Sequence, residues 1–170
     1  NIDIVFHCAS KVGSINFYKN NGSKVLSHNI LLDNQILSAA QDKGVSFFIY
    51  ISSAFVYPIE RMQDSLGLGI KEEEAIPANP AITYGWAKLM GEIAVQHAVE
   101  NGGILNGIIL RLSNFYGPYQ SIDLDRGSII PVLIRRALEY PRLSPFFING
   151  QGNETRTYCY ISDIIDAILL

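Results

Sequence analysis

The sequence predicts an α/β chain built on a doubly wound parallel sheet, and three observations carry that prediction. Short apolar runs of strand length recur along the chain with helical stretches between them. The first runs are apolar at consecutive positions, as in strands buried on both faces. The intervening stretches suit the right-handed crossover that joins parallel strands, so helices are expected on both faces of the sheet.

The elements follow in order. "IDIVFHC" (2–8) is the first strand, and "ASKVGSINFYKNNGS" (9–23) reads as a polar loop. From about Lys24 to Lys43 the pattern turns helical, with Val25, Leu32, Ile36 and Ala39 on one side and Gly44 as the stop. "VSFFIYIS" (45–52) is the second strand. A helix carrying Tyr84 follows, ended by Gly102 and Gly103, and leads into "LNGIILRL" (105–112), a third strand rich in β-branched residues. A helix near Ser128 to Tyr140 tolerates Pro131 in its first turn and is expected to bury Ile130, Leu133, Ile134, Ala137 and Leu138. A short "FFIN" (146–149), a glycine turn, the strand-like "TRTYCYI" (155–161) and a last helical start complete the chain. No repeat or low-complexity segment interrupts it.

Composition narrows the function. With 170 residues, 48% apolar and 17% charged, the chain can bury a sizeable core. A net charge of -3 lacks the basic excess that nucleic acid binding exploits. No stretch approaches a membrane span. Cys8 and Cys159 form no metal or redox spacing, which fits a reduced cytoplasmic setting. His7, His28 and His97 share no spacing either, so no metal is expected, and His28 and His97 read as ordinary helix residues. Glu72 to Glu74 reads as a solvated loop. The glycines of "GLG" (67–69) and "GQG" (150–152) do not sit between a strand and a helix as a dinucleotide fingerprint would.

The chemistry-bearing pattern is Tyr84 and Lys88, four residues apart on a helix. Trp86, Leu89, Met90, Ile93 and Ala94 form an apolar stripe from which both are excluded. A fixed ammonium beside a phenol favours the phenolate. Bringing a phenol from near 10 to about 7 takes roughly 4 kcal/mol, within reach of one partly desolvated charge, a hydrogen bond and a cationic cofactor ring. Such a tyrosine exchanges protons at neutral pH. A lone Tyr-x-x-x-Lys is common on solvated helices, so position matters. His7 to Ser10, Ser52 with Ser53, and Ser113 with Asn114 end three successive strands, where an open parallel sheet binds its ligands. Ser53 is placed to share a reacting oxygen with Tyr84.

"HCAS", "FIYISSAFVYP", "YGWAK", "LRLSNFYGPY" and "NGQGNETRTYCYISD", in that order, resemble the extended short-chain dehydrogenase/reductases that modify nucleotide sugars. The resemblance implies a Rossmann-like fold, here a fragment lacking the amino-terminal strands. Residues 1–117 would be the carboxyl-terminal portion of the cofactor-binding domain with its catalytic helix, and 118–170 the substrate-binding segments with a returning strand and helix. It implies NAD or NADP, NAD favoured, with the discriminating glycine-rich turn outside this sequence. Tyr84 would be the acid/base, Lys88 would hold the cofactor ribose and depress the phenol's pKa, and Ser53 would orient the substrate oxygen. Ala9, Ser10, Lys11, Asn29 and Ser52 would line the cofactor with them, and Asn114 and Arg156 would meet the sugar-nucleotide diphosphate. The parent is expected to be a homodimer paired through the Tyr84 helix.

Departures from the family pattern refine this. Asn29 matches the asparagine of "N-x-x-G-T", but Leu32 and Asp33 replace Gly-Thr. "ASKVGSI", "HNILLDNQILSAA" and "SIIPVLIRRAL" look most like GDP-fucose synthases and GDP-mannose 3,5-epimerases. Those place a cysteine two residues after the serine and a histidine or lysine before the "IP" step; here stand Phe55 and Ser128 or Ile129. The Asp-Glu pair of 4,6-dehydratases is Ala54 and Phe55, and the decarboxylases' glutamate is also absent. The remaining Ser53, Tyr84 and Lys88 set implies C4 epimerisation, with 4-keto reduction as the near alternative and a non-catalytic cofactor-sensing protein as the alternative of another class.

Overall fold

The computed structural model describes residues 2–62, 69–148 and 155–170. The "GQG" segment and residues 67–68 of "GLG" lie outside the described residues, as does Asn149 at the end of "FFIN". The chain divides into two compact units, one of residues 1–12 and 18–112, the other of 13–17 and 113–170.

The first unit is a parallel sheet in strand order β1 (Ile4–His7), β2 (Phe47–Ser53), β3 (Asn106–Leu112). Val5 pairs with Phe48, and Tyr50 pairs with both His7 and Ile109. Helix α1 (Ile15–Lys43) joins β1 to β2. A short helix α2 (Ile59–Met62), a 3-10 turn (Glu72–Ala75) and helix α3 (Thr83–Glu100) lie between β2 and β3. Because the strands are laid down in sequence order, two crossovers of the same hand put α1 and α3 on one face. The core forms there, from Leu37 and Ala40 of α1, Phe48 and Tyr50 of β2, Val95 and Ala98 of α3, with Val5, Ile36 and Ile109 against them. Ile4, Phe6, Phe47 and Ile108, on the opposite face, are exposed. Among the described residues of this unit the helices cover one face of the sheet.

Three corrections concern the helices. The expected polar loop at 9–23 is helical from Ile15, because Ser14 Oγ accepts the Phe17 N–H as an N-cap. That first piece ends at Asn21, whose φ of −128° and ψ of 21° interrupt the helix. In the second piece the buried line runs through Val25, Asn29, Asp33, Leu37 and Ala40, polar residues included. On α3 the apolar stripe divides: Trp86, Met90 and Ile93 are exposed, whereas Leu89 is buried and Ala94 packs on the core, and Tyr84, Lys88, Glu92, Val95 and Ala98 are buried as well. Gly44, at φ +61°, ends α1 in the left-handed conformation that glycine adopts freely.

The second unit pairs β4 (Asn114–Tyr116) in parallel with β5 (Tyr158–Tyr160) and carries α4 (Ile129–Glu139) and α5 (Ile161–Leu169). Tyr116 and Tyr160 meet edge to face, their ring centroids 5.4 Å apart. In α4 the buried residues are Pro131 and Val132, while Ile134 and Leu138 stand 54% and 78% exposed. The apolar face read from sequence is thus largely unburied. Residues 146–148 form no strand. Among the described residues no helix is long and apolar enough to cross a membrane.

Candidate active site

The candidate site grows from the carboxyl ends of β1 and β2 and the first turns of α3. Ser53 ends β2, and its hydroxyl accepts the Phe55 N–H at 3.2 Å, capping the 3-10 turn Ala54–Val56. Tyr84 opens α3 and is 8% exposed. Tyr18 stacks on it with ring centroids 5.2 Å apart, and Phe55 meets it edge-on at 6.2 Å. Gly85 allows this closeness, since a Cβ there would stand 2.0 Å from the Phe55 carbonyl oxygen.

Burial, reinforced by the neighbouring Tyr18, pushes the Tyr84 phenol above its ordinary value, while the Ser10 and Ser53 hydroxyls work the other way. The direction is opposite to the depression expected from the Tyr-x-x-x-Lys pattern. Lys88 is 2% exposed, and its Nζ lies 4.6 Å from the centroid of the Tyr50 ring. Burial lowers its pKa, opposed by Asp33 and Cys8. Among the described residues Ser10 Oγ is buried without a well-formed hydrogen bond, although it lies close enough to the Tyr84 phenol to favour its ionised form. An orphaned hydroxyl beside a buried phenol at a strand end fits a hydroxyl- or amide-bearing ligand such as a nicotinamide nucleotide.

Comparison with known proteins decides the family. The model of the NAD dependent epimerase/dehydratase family matches residues 1–170. The chain belongs to this family.

Its relatives include a GDP-mannose 3,5-epimerase of Arabidopsis thaliana, 29% identical over 99% of this chain and 44% of that protein. A dTDP-4-dehydro-6-deoxy-D-allose reductase of a Streptomyces species is 28% identical over 99% of this chain and 50% of the other. Among solved structures, a GDP-L-fucose synthetase from Naegleria fowleri bound to NADP superposes with a TM-score of 0.76, at 26% identity, over 98% of this chain and 54% of that one. The chain thus spans about half the length of the relatives it matches, and its Rossmann-like parallel sheet is the fold they share.

The other family-derived positions divide. Ala9, Ser10 and Lys11 follow β1, and Asn29 fixes that loop: its Oδ1 accepts the Lys11 N–H at 2.7 Å and its Nδ2 donates to the Lys11 carbonyl at 3.2 Å. Asn29 is fully buried, so its amide is engaged with backbone and shapes the loop. Ser52 turns inward and donates to Glu92, which also receives two nitrogens of Arg111. Arg111 reaches on to the Glu72 carbonyl and the Tyr57 hydroxyl. The acidic run is therefore a structured 3-10 turn, with Glu74 Oε2 accepting the Lys71 N–H. Asn114 and Arg156 belong to the second unit, where Asn114 Nδ2 donates to the Thr157 carbonyl and Arg156 Nη1 to that of Thr155. Both are exposed.

Sequence reasoning missed Tyr18, Asp33 and the inward roles of His7 and Tyr50. Asp33 carried a usable signal, because it lies one turn after Asn29 on the same side of the helix.

Proposed function

We propose that the full-length protein is an NAD(P)-dependent nucleotide-sugar enzyme that inverts C4 by hydride transfer through a 4-keto sugar. The observation that carries the reading is a buried Tyr84 flanked by the Ser10 and Ser53 hydroxyls, one helical turn from a buried Lys88, with an aromatic ring at position 55. Tyr84 would take the proton of the C4 hydroxyl and return it, and Ser53 would hold that oxygen in line. Lys88 and the Ala9–Lys11 loop would hold the cofactor, NAD favoured, with Ser10 supplying a hydroxyl. When bound, the cofactor accepts the C4 hydride and gives it back. Asn114 and Arg156 would engage the diphosphate, a guanidinium suiting it by its forked donors. Phe55 cannot carry a proton, so the chemistry is confined to one carbon. A homodimer joined through Trp86, Met90 and Ile93 of α3, in the cytoplasm, completes the proposal.

Reduction of a 4-keto sugar is the second reading, favoured by the similarity to the Streptomyces reductase. Incubation with NAD or NADPH and a panel of UDP-, GDP- and dTDP-sugars in heavy water, read by NMR with Tyr84→Phe as control, separates the cases. C4 inversion without solvent deuterium supports epimerisation, and net reduction of a supplied 4-keto sugar supports the second reading. Deuterium at C3 or C5, or loss of water, overturns both. Cofactor binding without turnover of any sugar would point to a cofactor-sensing protein instead.

A further inference from the structure

Beneath Lys88 lies a buried network to which the proposed chemistry assigns no part. His7 and Tyr50 are paired across β1 and β2 and point to the same face of the sheet. Asp33 descends on both from α1: His7 Nε2 lies 2.7 Å from Asp33 Oδ1, and the Tyr50 hydroxyl donates to Oδ2 at 2.6 Å. All three are buried. With both carboxylate oxygens engaged, Asp33 is fixed in place and in turn fixes the Tyr50 ring. Helix α3 rests directly on this bond, since a Cβ on Gly91 would stand 2.1 Å from the Tyr50 hydroxyl and 3.1 Å from Asp33 Oδ2. Lys88, three residues earlier, lays its ammonium over the same ring.

We propose that Asp33 is the positioning residue of Lys88, anchoring the Tyr50 ring on which the ammonium rests and supplying the buried negative charge that keeps it protonated. The inference rests on the reading of Lys88 as the cationic partner of Tyr84. The groups around the ammonium are few. Asp33 faces it from α1, Cys8 from the loop after β1 and Tyr50 from β2, while Tyr84 and Glu92 flank it on α3. His7 bonds Asp33 and lies beside the Tyr50 ring, their ring centroids 5.7 Å apart. Glu92 is paired with Arg111 at 2.8 Å, and among the described residues Asp33 is the carboxylate whose charge acts on Lys88. A desolvated lysine without such a partner gives up its proton readily.

The test uses the full-length protein labelled with ¹⁵N-lysine, following the Lys88 ammonium resonance through a pH titration. Asp33→Asn and Asp33→Ser should each lower the midpoint by about one pH unit, in line with the loss of one nearby opposite charge. Asp33→Glu, which keeps the charge, and Tyr50→Phe, which keeps ring and carboxylate, should leave it near the wild-type value. The alkaline limb of sugar turnover should move down with the midpoint in the neutral variants. Should one neutral variant fail to fold, the other carries the comparison. An unchanged Lys88 midpoint in a folded neutral variant, or an equal fall in Asp33→Glu, overturns the inference. Because the titration needs no turnover, a wild-type protein that converts no sugar overturns the functional reading while leaving the Asp33 result legible.

Discussion

Replacing Gly91 by alanine tests how closely α3 is seated on the sheet. Gly91 is interior to α3, where alanine is intrinsically favoured by about 1 kcal/mol. Against that, the new Cβ would stand 2.1 Å from the Tyr50 hydroxyl, 2.5 Å from its Cζ and 3.1 Å from Asp33 Oδ2. None of these atoms belongs to a flexible surface chain, because Tyr50 and Asp33 are buried and bonded to each other. Overpacking of a buried site costs about 1–3 kcal/mol. Loosening a hydrogen bond to a carboxylate adds about 1.5–3 kcal/mol. The sum, less the propensity gain, is a net destabilisation of roughly 1.5–5 kcal/mol. Urea unfolding of the full-length protein measures it, with Gly91→Ala also placed in a Tyr50→Phe background. Removing the hydroxyl takes away the nearest clash, so the double variant should recover about 1 kcal/mol of coupling. A Gly91→Ala protein as stable as wild type, or a cycle with no coupling, would refute the close seating.

Other outcomes follow from neighbouring contacts. Glu92→Gln leaves the part-buried Arg111 facing a neutral amide and should destabilise the protein by about 2 kcal/mol, the scale of a lost hydrogen bond between charged groups; thermal or urea unfolding checks it. Burial pushes both Tyr50 and Tyr84 above their ordinary value near 10, so the native state keeps protons that the unfolded chain gives up. Their contribution is whole below pH 10 and is lost as pH rises beyond it, so the alkaline slope of stability should be shallower in Tyr50→Phe than in wild type. Trp86→Lys together with Ile93→Lys should shift the full-length protein toward monomer in analytical ultracentrifugation, without lowering its melting temperature at high dilution.

Much of the fold was legible because three strands are continuous apolar runs and α3 and the second piece of α1 are bounded by Gly102 and Gly44, both at positive φ. The start of α1 was not legible. "INFYKNNGS" is polar enough to read as loop, and the cap that starts the helix is a single Ser14 hydroxyl. Which side of each helix is buried was harder still. On α1 counting apolar positions found Val25, which is buried, and Ile36, which packs on the core, but it set the exposed Ala39 beside them, whereas the buried line passes through Asn29 and Asp33. On α3 the same counting picks out Leu89 and Ala94, which do pack inward, together with Trp86, Met90 and Ile93, which are exposed. Polar residues with specific partners, such as Asn29 on the Lys11 backbone and Asp33 on His7 and Tyr50, sit where a hydropathy pattern looks for aliphatic ones. Spacing and strand ends made it legible that Ser53 lies beside Tyr84 and that Tyr84 and Lys88 share one side of α3, which the structure shows to be its buried side. Tyr18 was not legible, because a residue taken for loop gives no reason to stack on a phenol.

The state of Tyr84 bears on how the proposed chemistry would be switched on. Placed between Tyr18 and Phe55 and removed from water, the phenol resists ionisation, and the two serine hydroxyls do not outweigh that burial. Lys88 is itself discouraged from carrying charge by its burial, and the carboxylate that opposes this belongs to Asp33. A proton shuttle near neutral pH therefore needs a further positive charge close to the phenol, of the kind an oxidised nicotinamide ring carries. On this reading the protein alone holds Tyr84 protonated and inert, and its competence as a base depends on the cofactor. Titration of the Tyr84 phenol by ultraviolet difference spectroscopy, with Tyr84→Phe as the blank, should give a midpoint above 10 in the free protein and a lower one with NAD bound. A midpoint that NAD leaves unmoved would assign the tuning to the protein's own charges and remove the cofactor from this step of the argument.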